Sequence, residues 1–275
     1  ITTNELSMLA GLPQKEVIGM RLREEVEFGL NYTEPEQEDC IYLGNLVQNG
    51  NEVERTPIYL DKDVLAAAPK LKLMTVMAVG YDTVDVSACK EQGVRITIAR
   101  VPEHAQGVAE VAFTLLLVAN YDVIKRYKET TSGHFHQYVG EQIYGKTLGI
   151  VGFGWIGQRL ARLVREYDMR ILAYDPYPNP QAAFALDAEY VSLDVLLENS
   201  DFVSVHVPGT PENYHLFDDS AFSKMKRGAH FINTSRGVNV DEAALYRALV
   251  SGRLKSAALD VMEGEGEGKT SPLYA

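Results

Sequence analysis

The sequence predicts an α/β protein of two doubly wound domains, each built on a parallel sheet. Three observations carry that reading. Short apolar runs alternate with stretches of helical periodicity along the 275 residues, the rhythm of an open α/β layer and not of a bundle or sandwich. Between Thr147 and Asp175 an apolar run, three spaced glycines, a helical stretch and a second apolar run ending on an acid follow in order. Around Pro102, in the region Val101 to Ala105, the alternation is interrupted, which divides the chain into domains 1–103 and 104–275.

In the first domain, strands are predicted at Val26 to Phe28, Cys40 to Leu46, Leu71 to Val79 and Val94 to Arg100, and helices at Asp61 to Ala68 and Val84 to Gln92. The acidic, amide-rich stretches Glu34 to Asp39 and Gln48 to Glu54 read as solvated loops. Gly80 falls where the strand Leu71 to Val79 ends, and open α/β sheets gather ligands at the carboxyl ends of their strands. Backbone amides there could hold a carboxylate, or the glycine could simply serve a left-handed turn. A helix is predicted over Ala105 to Lys125, apolar on more than one side and placed to bridge two layers.

The sheet of the second domain is expected to open with the buried strand Thr147 to Val151. The helix Trp155 to Tyr167 follows, with Ile156, Leu160, Leu163 and Val164 at helical spacing. Gly152 permits the tight turn between them, Gly154 lets the backbone approach a pyrophosphate, and Gly157 lets the helix pack on the strand, so that helix N-terminal amides face the anion. Asp175 lies close to the ~20 residues beyond such a turn at which an acid accepts from an adenosine ribose hydroxyl. An acid there repels a 2′-phosphate, and Pro176 and Tyr177 follow in place of an arginine, so NAD is expected over NADP. The alternation then continues through helix Leu193 to Asn199, strand Asp201 to Val207, helix Asp219 to Met225, strand Ala229 to Ser235, helix Val240 to Ser251 and strand Ser256 to Val261. Candidate site residues follow these strands: Val207 and Pro208, then Thr234, Ser235 and Arg236, then Asp260.

Composition excludes several classes. A formal charge of −12 and a pI near 5.0 argue against a nucleic-acid or anionic-membrane partner, which clustered Lys and Arg would hold. Cys40 and Cys89 are too few for a disulfide framework and have no zinc-like spacing, so they read as reduced thiols of a cytoplasmic protein with no metal. The apolar segment Val111 to Ala119 is too short to span a bilayer.

A nicotinamide supplies hydride, so the protein's own groups must orient a substrate, polarise its carbonyl and handle one proton. Arg236 suits the first two tasks. Its fork of donors can pair a carboxylate, and its charge stabilises oxygen as alkoxide character develops. It stands in Asn-Thr-Ser-Arg-Gly directly after a strand.

The segments LMTVMAVGYDTVDV, VAE at Val108 to Glu110, GKTLGIVGFGWIG, AYDPYPNP, HVPGTPENYHL, INTSRG and AALDVMEGE together resemble the D-isomer-specific 2-hydroxyacid dehydrogenases. The resemblance runs from about Leu71 to the end. It implies Rossmann- and flavodoxin-like domains with a cleft between them, NAD in the second, a small 2-oxo-acid or D-2-hydroxyacid as substrate, and a homodimer. Arg236 matches the arginine that binds the 2-oxo-acid, and Val79 and Gly80 match the backbone positions that hold its carboxylate. Trp155 and Ile156 would contact the pyrophosphate, Asp175 the ribose, and Val207, Pro208, Asn213, Thr234 and Asp260 the remaining cofactor surface.

The family's acid/base is a histidine oriented by a glutamate. Register from Asp260 matches Glu265 to that glutamate, with Glu263 as runner-up. None of His104, His134, His136, His206, His215 or His230 matches the histidine, which in the family follows a Pro-Leu pair like Pro272 and Leu273; His206 reads as cofactor-wall structure. The expectation is that this sequence is a piece of a chain some tens of residues longer. Two other readings stay open at this point: a nucleotide-sensing corepressor on the same fold, and D-3-phosphoglycerate oxidation, which would need a basic phosphate subsite that the sequence does not display.

Overall fold

The computed structural model describes residues 47–49, 52–54, 60–69, 71–76, 80–81, 84–98, 102–137, 139–264 and 270–274. The chain divides into two compact units, 1–101 and 102–275.

In the first unit, β1 (Val47–Asn49) and β2 (Glu52–Glu54) pair antiparallel, Asn49 opposite Glu52. The expectation of a loop over Gln48 to Glu54 is therefore corrected. The signal was the Gly50-Asn51 pair between Asn49 and Glu52, a two-residue hairpin cue that the acidic, amide-rich composition obscures. The strands expected at Val26 to Phe28 and Cys40 to Leu46, and the loop at Glu34 to Asp39, lie outside the described residues.

Helix α1 (Lys62–Ala67) begins on Asp61, whose carboxylate accepts from the amides of Asp63 and Val64 at 3.0 Å. This satisfies donors that a helix start leaves open. Strand β3 (Leu73–Val76) leads to α2 (Val86–Gln92), capped by Asp85 and ended by Gly93 at φ 77°, and then to β4 (Arg95–Ile98), which pairs parallel with β3. The Gln92 side chain donates to the carbonyls of Leu65 and Ala68 and ties the two helices together. Leu60, Leu65, Leu71, Met74, Val84, Ala88, Cys89 and Val94 form the core under them.

The second unit opens with α3 (Pro102–Asn120). Its buried positions Ala105, Ala109, Ala112, Leu116 and Ala119 recur at three- and four-residue steps, one stripe that packs on α5, β9 and β10, defined below. The helix does not run on to Lys125 as the periodicity implied. Asp122 takes the left-handed conformation at φ 50°, which short polar side chains tolerate, and α4 (Val123–Thr131) departs at 57°.

A six-stranded parallel sheet follows, in the order β7-β6-β5-β8-β9-β10. Its strands are β5 (Thr147–Val151), β6 (Arg170–Tyr174), β7 (Ala188–Tyr190), β8 (Phe202–Val205), β9 (Ala229–Asn233) and β10 (Leu254–Leu259). The crossover helices are α5 (Trp155–Leu163), α6 (Pro180–Ala185), α7 (Leu193–Asn199), α8 (Asp219–Lys224) and α9 (Glu242–Val250). The predicted helix Trp155 to Tyr167 ends earlier, and Arg165–Tyr167 tightens to a 3-10 turn.

Period-two alternation sorts the strand residues onto two faces. Val151, Leu172, Val203, Val205 and Phe231 share a core with Leu196 and Leu197 of α7, Phe222 of α8 and Leu245 of α9. Leu148, Ile150, Ile171, Ala173, Phe202 and Ile232 share the opposite core with Ala112 and Leu116 of α3 and Leu160 of α5. With both faces covered, β8 and β9 are buried at every position, as a parallel sheet requires. The amino edge of the sheet is pinned by Asp201, whose carboxylate accepts from the Thr147 amide at 2.9 Å and from Lys226 at 2.6 Å. Burial opposes its charge, but these contacts outweigh that and hold its pKa below the ordinary value.

The order reverses between β5 and β8, the switch point at which doubly wound sheets bind nucleotides at their carboxyl ends.

Candidate active site

The carboxyl edge of the sheet collects the candidate residues of the second unit. β5 ends in Gly152 at φ 95°. A Cβ there would stand 2.8 Å from the carbonyl carbon of His206 and 3.0 Å from the Val207 nitrogen, so glycine lets the ends of β5 and β8 meet. A Cβ on Gly157 would stand 2.5 Å from the Gly152 oxygen and 2.8 Å from Ile150 Cγ2, so this glycine seats α5 on its strand.

Gly154 differs from both. It is exposed, it stands at the N-cap of α5 without a side-chain cap, and a Cβ on it would meet no protein atom within 4 Å. Internal packing therefore does not demand glycine here. Open space before a helix N-terminus is what a pyrophosphate needs, so the turn fits a dinucleotide. Trp155 is exposed and Ile156 half-buried beside it.

Asp175 follows β6. Its Oδ2 accepts from the Phe153 amide at 2.9 Å and its Oδ1 from the Tyr177 amide at 2.8 Å. The acid thus ties the glycine turn to the neighbouring strand. Each oxygen keeps acceptor capacity for a ribose hydroxyl.

Beyond β8, Val207 is buried and Pro208 exposed, and Asn213 donates to the Pro208 carbonyl at 3.0 Å from a 3-10 turn. Beyond β9, Thr234 is buried and Arg236 half-buried, with an Arg236 Nη donating to the Ser235 carbonyl at 2.7 Å. Asp260 is exposed after β10, its amide bonded to the Asn233 carbonyl. In the first unit Gly80 is half-buried. Val79 and Glu265 lie outside the described residues.

Sequence reasoning missed the residues that shape the Arg236 loop. Asn233 accepts from the Ser235 amide and hydroxyl at 3.0 and 2.7 Å and donates to the Arg236 carbonyl at 3.0 Å. Buried Asn239 donates to the Val207 carbonyl and the Ser235 hydroxyl, both at 3.1 Å. The legible signal was Asn233 two residues before Ser235, the spacing of a side-chain-closed turn.

The histidines are sorted by surroundings. His206 contacts the hydroxyls of Ser204 at 3.0 Å and Thr234 at 3.4 Å, and burial pushes its pKa down to about 3. His230 stacks on Phe202, contacts Ser256 at 2.7 Å, and is pushed down to about 4 by burial and then by the Lys255 charge. Both are neutral at pH 7. His215 contacts Glu263 at 3.0 Å, while His104, His134 and His136 are exposed. Glu263, the alternative to Glu265, thus already has an imidazole partner.

A pH dependence follows. Both folded pKa values lie below the unfolded value of ~6.5, so the unfolded chain binds more protons between them. The stability is complete above about pH 6.5 and declines on acidification toward 4 and then 3, by on the order of a few kcal/mol. In thermal melts at pH 7 and pH 4.5, His206→Gln is expected to lose less Tm between the two than the parent; an equal loss would contradict the assignment.

No single helix among the described residues is long and apolar enough to cross a membrane. α3 and α4 reach that length and apolarity only as a bent pair, and α3 buries its stripe in the protein core. Among the described residues no cluster of His, Cys, Asp or Glu could hold a metal.

Comparison with known proteins agrees with this geometry. Residues 113–275 match the model of the D-isomer specific 2-hydroxyacid dehydrogenase NAD binding domain, and residues 53–148 that of the catalytic domain. A glyoxylate reductase of Korarchaeum cryptofilum is 41% identical over 225 residues, covering 78% of this chain and 66% of the relative. The D-lactate dehydrogenase of Escherichia coli is 36% identical over 236 residues, covering 82% and 71%. The crystal structure of D-lactate dehydrogenase from Aquifex aeolicus complexed with NAD and lactic acid is 33% identical, with a TM-score of 0.70, covering 78% of this chain and 67% of that one. The chain thus spans about two thirds of the length of these three relatives.

Proposed function

Since the chain belongs to the D-isomer-specific 2-hydroxyacid dehydrogenase family, we propose that the protein transfers a hydride between NADH and a small 2-oxo-acid, with the D-2-hydroxyacid as the reduced product. The observation that carries this reading is the carboxyl edge of one parallel sheet, where the open glycine turn, Asp175 and the Arg236 loop follow β5, β6 and β9.

NADH supplies the hydride when bound. Gly154 leaves room for the pyrophosphate against the start of α5, which Gly152 and Gly157 let pack close to its strand, with Trp155 and Ile156 beside it, and Asp175 accepts from the ribose. Val207, Pro208, Asn213, Thr234 and Asp260 line the rest of the nucleotide. Arg236 pairs the 2-oxo-acid and stabilises its carbonyl oxygen as negative charge develops; the family resemblance gives the substrate's carboxylate to the backbone positions Val79 and Gly80. Glu265 orients the acid/base imidazole and, as an anion close by, favours its protonated form.

His206 and His230, neutral at pH 7 through burial, are unsuited to hold that proton. The nucleotide-sensing alternative is not favoured, because the relatives bear the names of reductases and dehydrogenases.

The test is NADH oxidation with pyruvate, glyoxylate, hydroxypyruvate and branched 2-oxo-acids. Turnover of at least one is expected; none across the panel would refute the reading.

We assign the protein to the cytoplasm from its two cysteines, which have neither disulfide-framework nor zinc-like spacing, and infer from its surface that it is a homodimer. The support is α4, which buries none of its residues and exposes Val123, Ile124 and Tyr127, with Phe135, Val139 and Tyr144 exposed beyond it. Large apolar side chains left exposed along one stretch of chain offer a surface that a second copy can cover. A monomer at micromolar concentration in sedimentation would contradict the assignment.

A further inference from the structure

Three chain segments meet beside the Arg236 loop. The first, Tyr214 to Phe217, is laced to the second: the His215 amide donates to the Val238 carbonyl at 2.9 Å, the Phe217 amide to the Asn239 carbonyl at 3.0 Å, and the Asp241 amide back to Phe217 at 3.0 Å. His215 takes the left-handed conformation at φ 48°, a region histidine enters more readily than most residues but still sparsely, and its ring stacks on Tyr214 at 4.0 Å.

The third segment, Met262 to Glu263, is held at three points. A Cβ on Gly237 would collide with the Met262 carbonyl and the Glu263 nitrogen, so the backbone directly after Arg236 is in contact with the backbone directly before Gly264. The Glu263 amide donates to the buried Glu242 carboxylate at 2.7 Å. The Glu263 carboxylate meets His215 Nε2 at 3.0 Å, with both side chains less than a third exposed.

We propose that His215 and Glu263 are positioning residues, a pair that fixes the chain entering Glu265 relative to Arg236. This rests on the roles given to Arg236 and Glu265 above. The middle segment carries Arg236, the last leads two residues on to Glu265, and the imidazole–carboxylate contact is the side-chain link that spans from the first to the last. Glu263 therefore orders the backbone and touches no substrate. A displacement near 1 Å at a catalytic group is enough to cost up to ~100-fold in rate, so a loosened segment shows in kcat before it shows in nucleotide affinity.

The experiment compares the full chain with Glu263→Ala, Glu263→Gln, His215→Ala and the double alanine variant. Three quantities are read: kcat on the best 2-oxo-acid, NADH affinity, and amide hydrogen exchange over residues 260–264. Either alanine variant is expected to lower kcat about 10- to 100-fold, leave NADH affinity within about twofold and speed exchange. The double variant should be no worse than the poorer single one. Glu263→Gln, which keeps a hydrogen-bonding side chain, should recover most of kcat and of the protection.

Unchanged exchange in Glu263→Ala overturns the pair as a positioning device, and so does fully additive loss in the double variant. Accelerated exchange with kcat unchanged overturns its link to the reaction. If the parent turns over no 2-oxo-acid, the catalytic reading fails, and hydrogen exchange still decides whether the pair orders the segment.

Discussion

Arg236→Ala is expected to lower kcat/KM for the 2-oxo-acid by about 10²–10³-fold, the range for losing one preorganised donor to a developing oxyanion. Arg236→Lys should recover little, because an ammonium cannot reproduce the two parallel donors of a guanidinium. Nucleotide affinity should stay within a few-fold, since Asp175 and the glycine turn belong to other strands, β6 and β5. Trp155 is the only tryptophan of the chain and is 44% exposed beside that turn, so energy transfer from Trp155 to NADH measures binding apart from turnover. Activity of the alanine variant within a few-fold of the parent would remove Arg236 from the mechanism.

Gly152→Ala should be the most damaging single methyl in the nucleotide site. At φ 95° a side chain is strained whatever the space around it. Here the new Cβ would also press on the backbone of His206 and Val207 at 2.8–3.0 Å, where no flexible side-chain end can move aside. Strain and overpacking together put the loss at about 2–5 kcal/mol, with weakened NADH binding as the turn shifts. Urea unfolding followed by Trp155 fluorescence reads this unit directly. By contrast, Gly154→Ala meets no protein atom within 4 Å, so it should leave stability nearly unchanged while weakening NADH. A similar loss of stability in both variants would contradict the separation of structural from ligand-facing glycines.

Much of the second unit was legible because its signals are local. The strand Thr147 to Val151 and the helix Leu193 to Asn199 fall where the pattern puts them, since fully buried parallel strands read as unbroken apolar runs. The short α6 and β7 (Pro180–Ala185, Ala188–Tyr190) went unread; six and three residues are too few to display a period. The break at Asp122 was hidden for another reason: Val123 and Ile124 continue the apolar pattern across a single left-handed residue.

At the site, residue types with one distinctive chemistry stood out, such as Arg236 after its strand and Asp175 after its own. The residues that shape their surroundings did not. Asn233, Asn239 and Glu242 act through hydrogen bonds with backbone groups, and one of these, donated by the Glu263 amide to the Glu242 carboxylate, spans 21 residues. No local pattern records such a partner. The His215–Glu263 contact spans 48 residues and is visible only once the loops after β8 and β10 are brought together.

The most direct test of the account is the handedness of the product. The full-length protein would be incubated with pyruvate and excess NADH and the lactate resolved on a chiral column, with glyoxylate consumption measured alongside as an achiral control for turnover. If pyruvate is turned over, the account predicts D-lactate alone. L-lactate, or a racemic product formed only in the presence of enzyme, would contradict it.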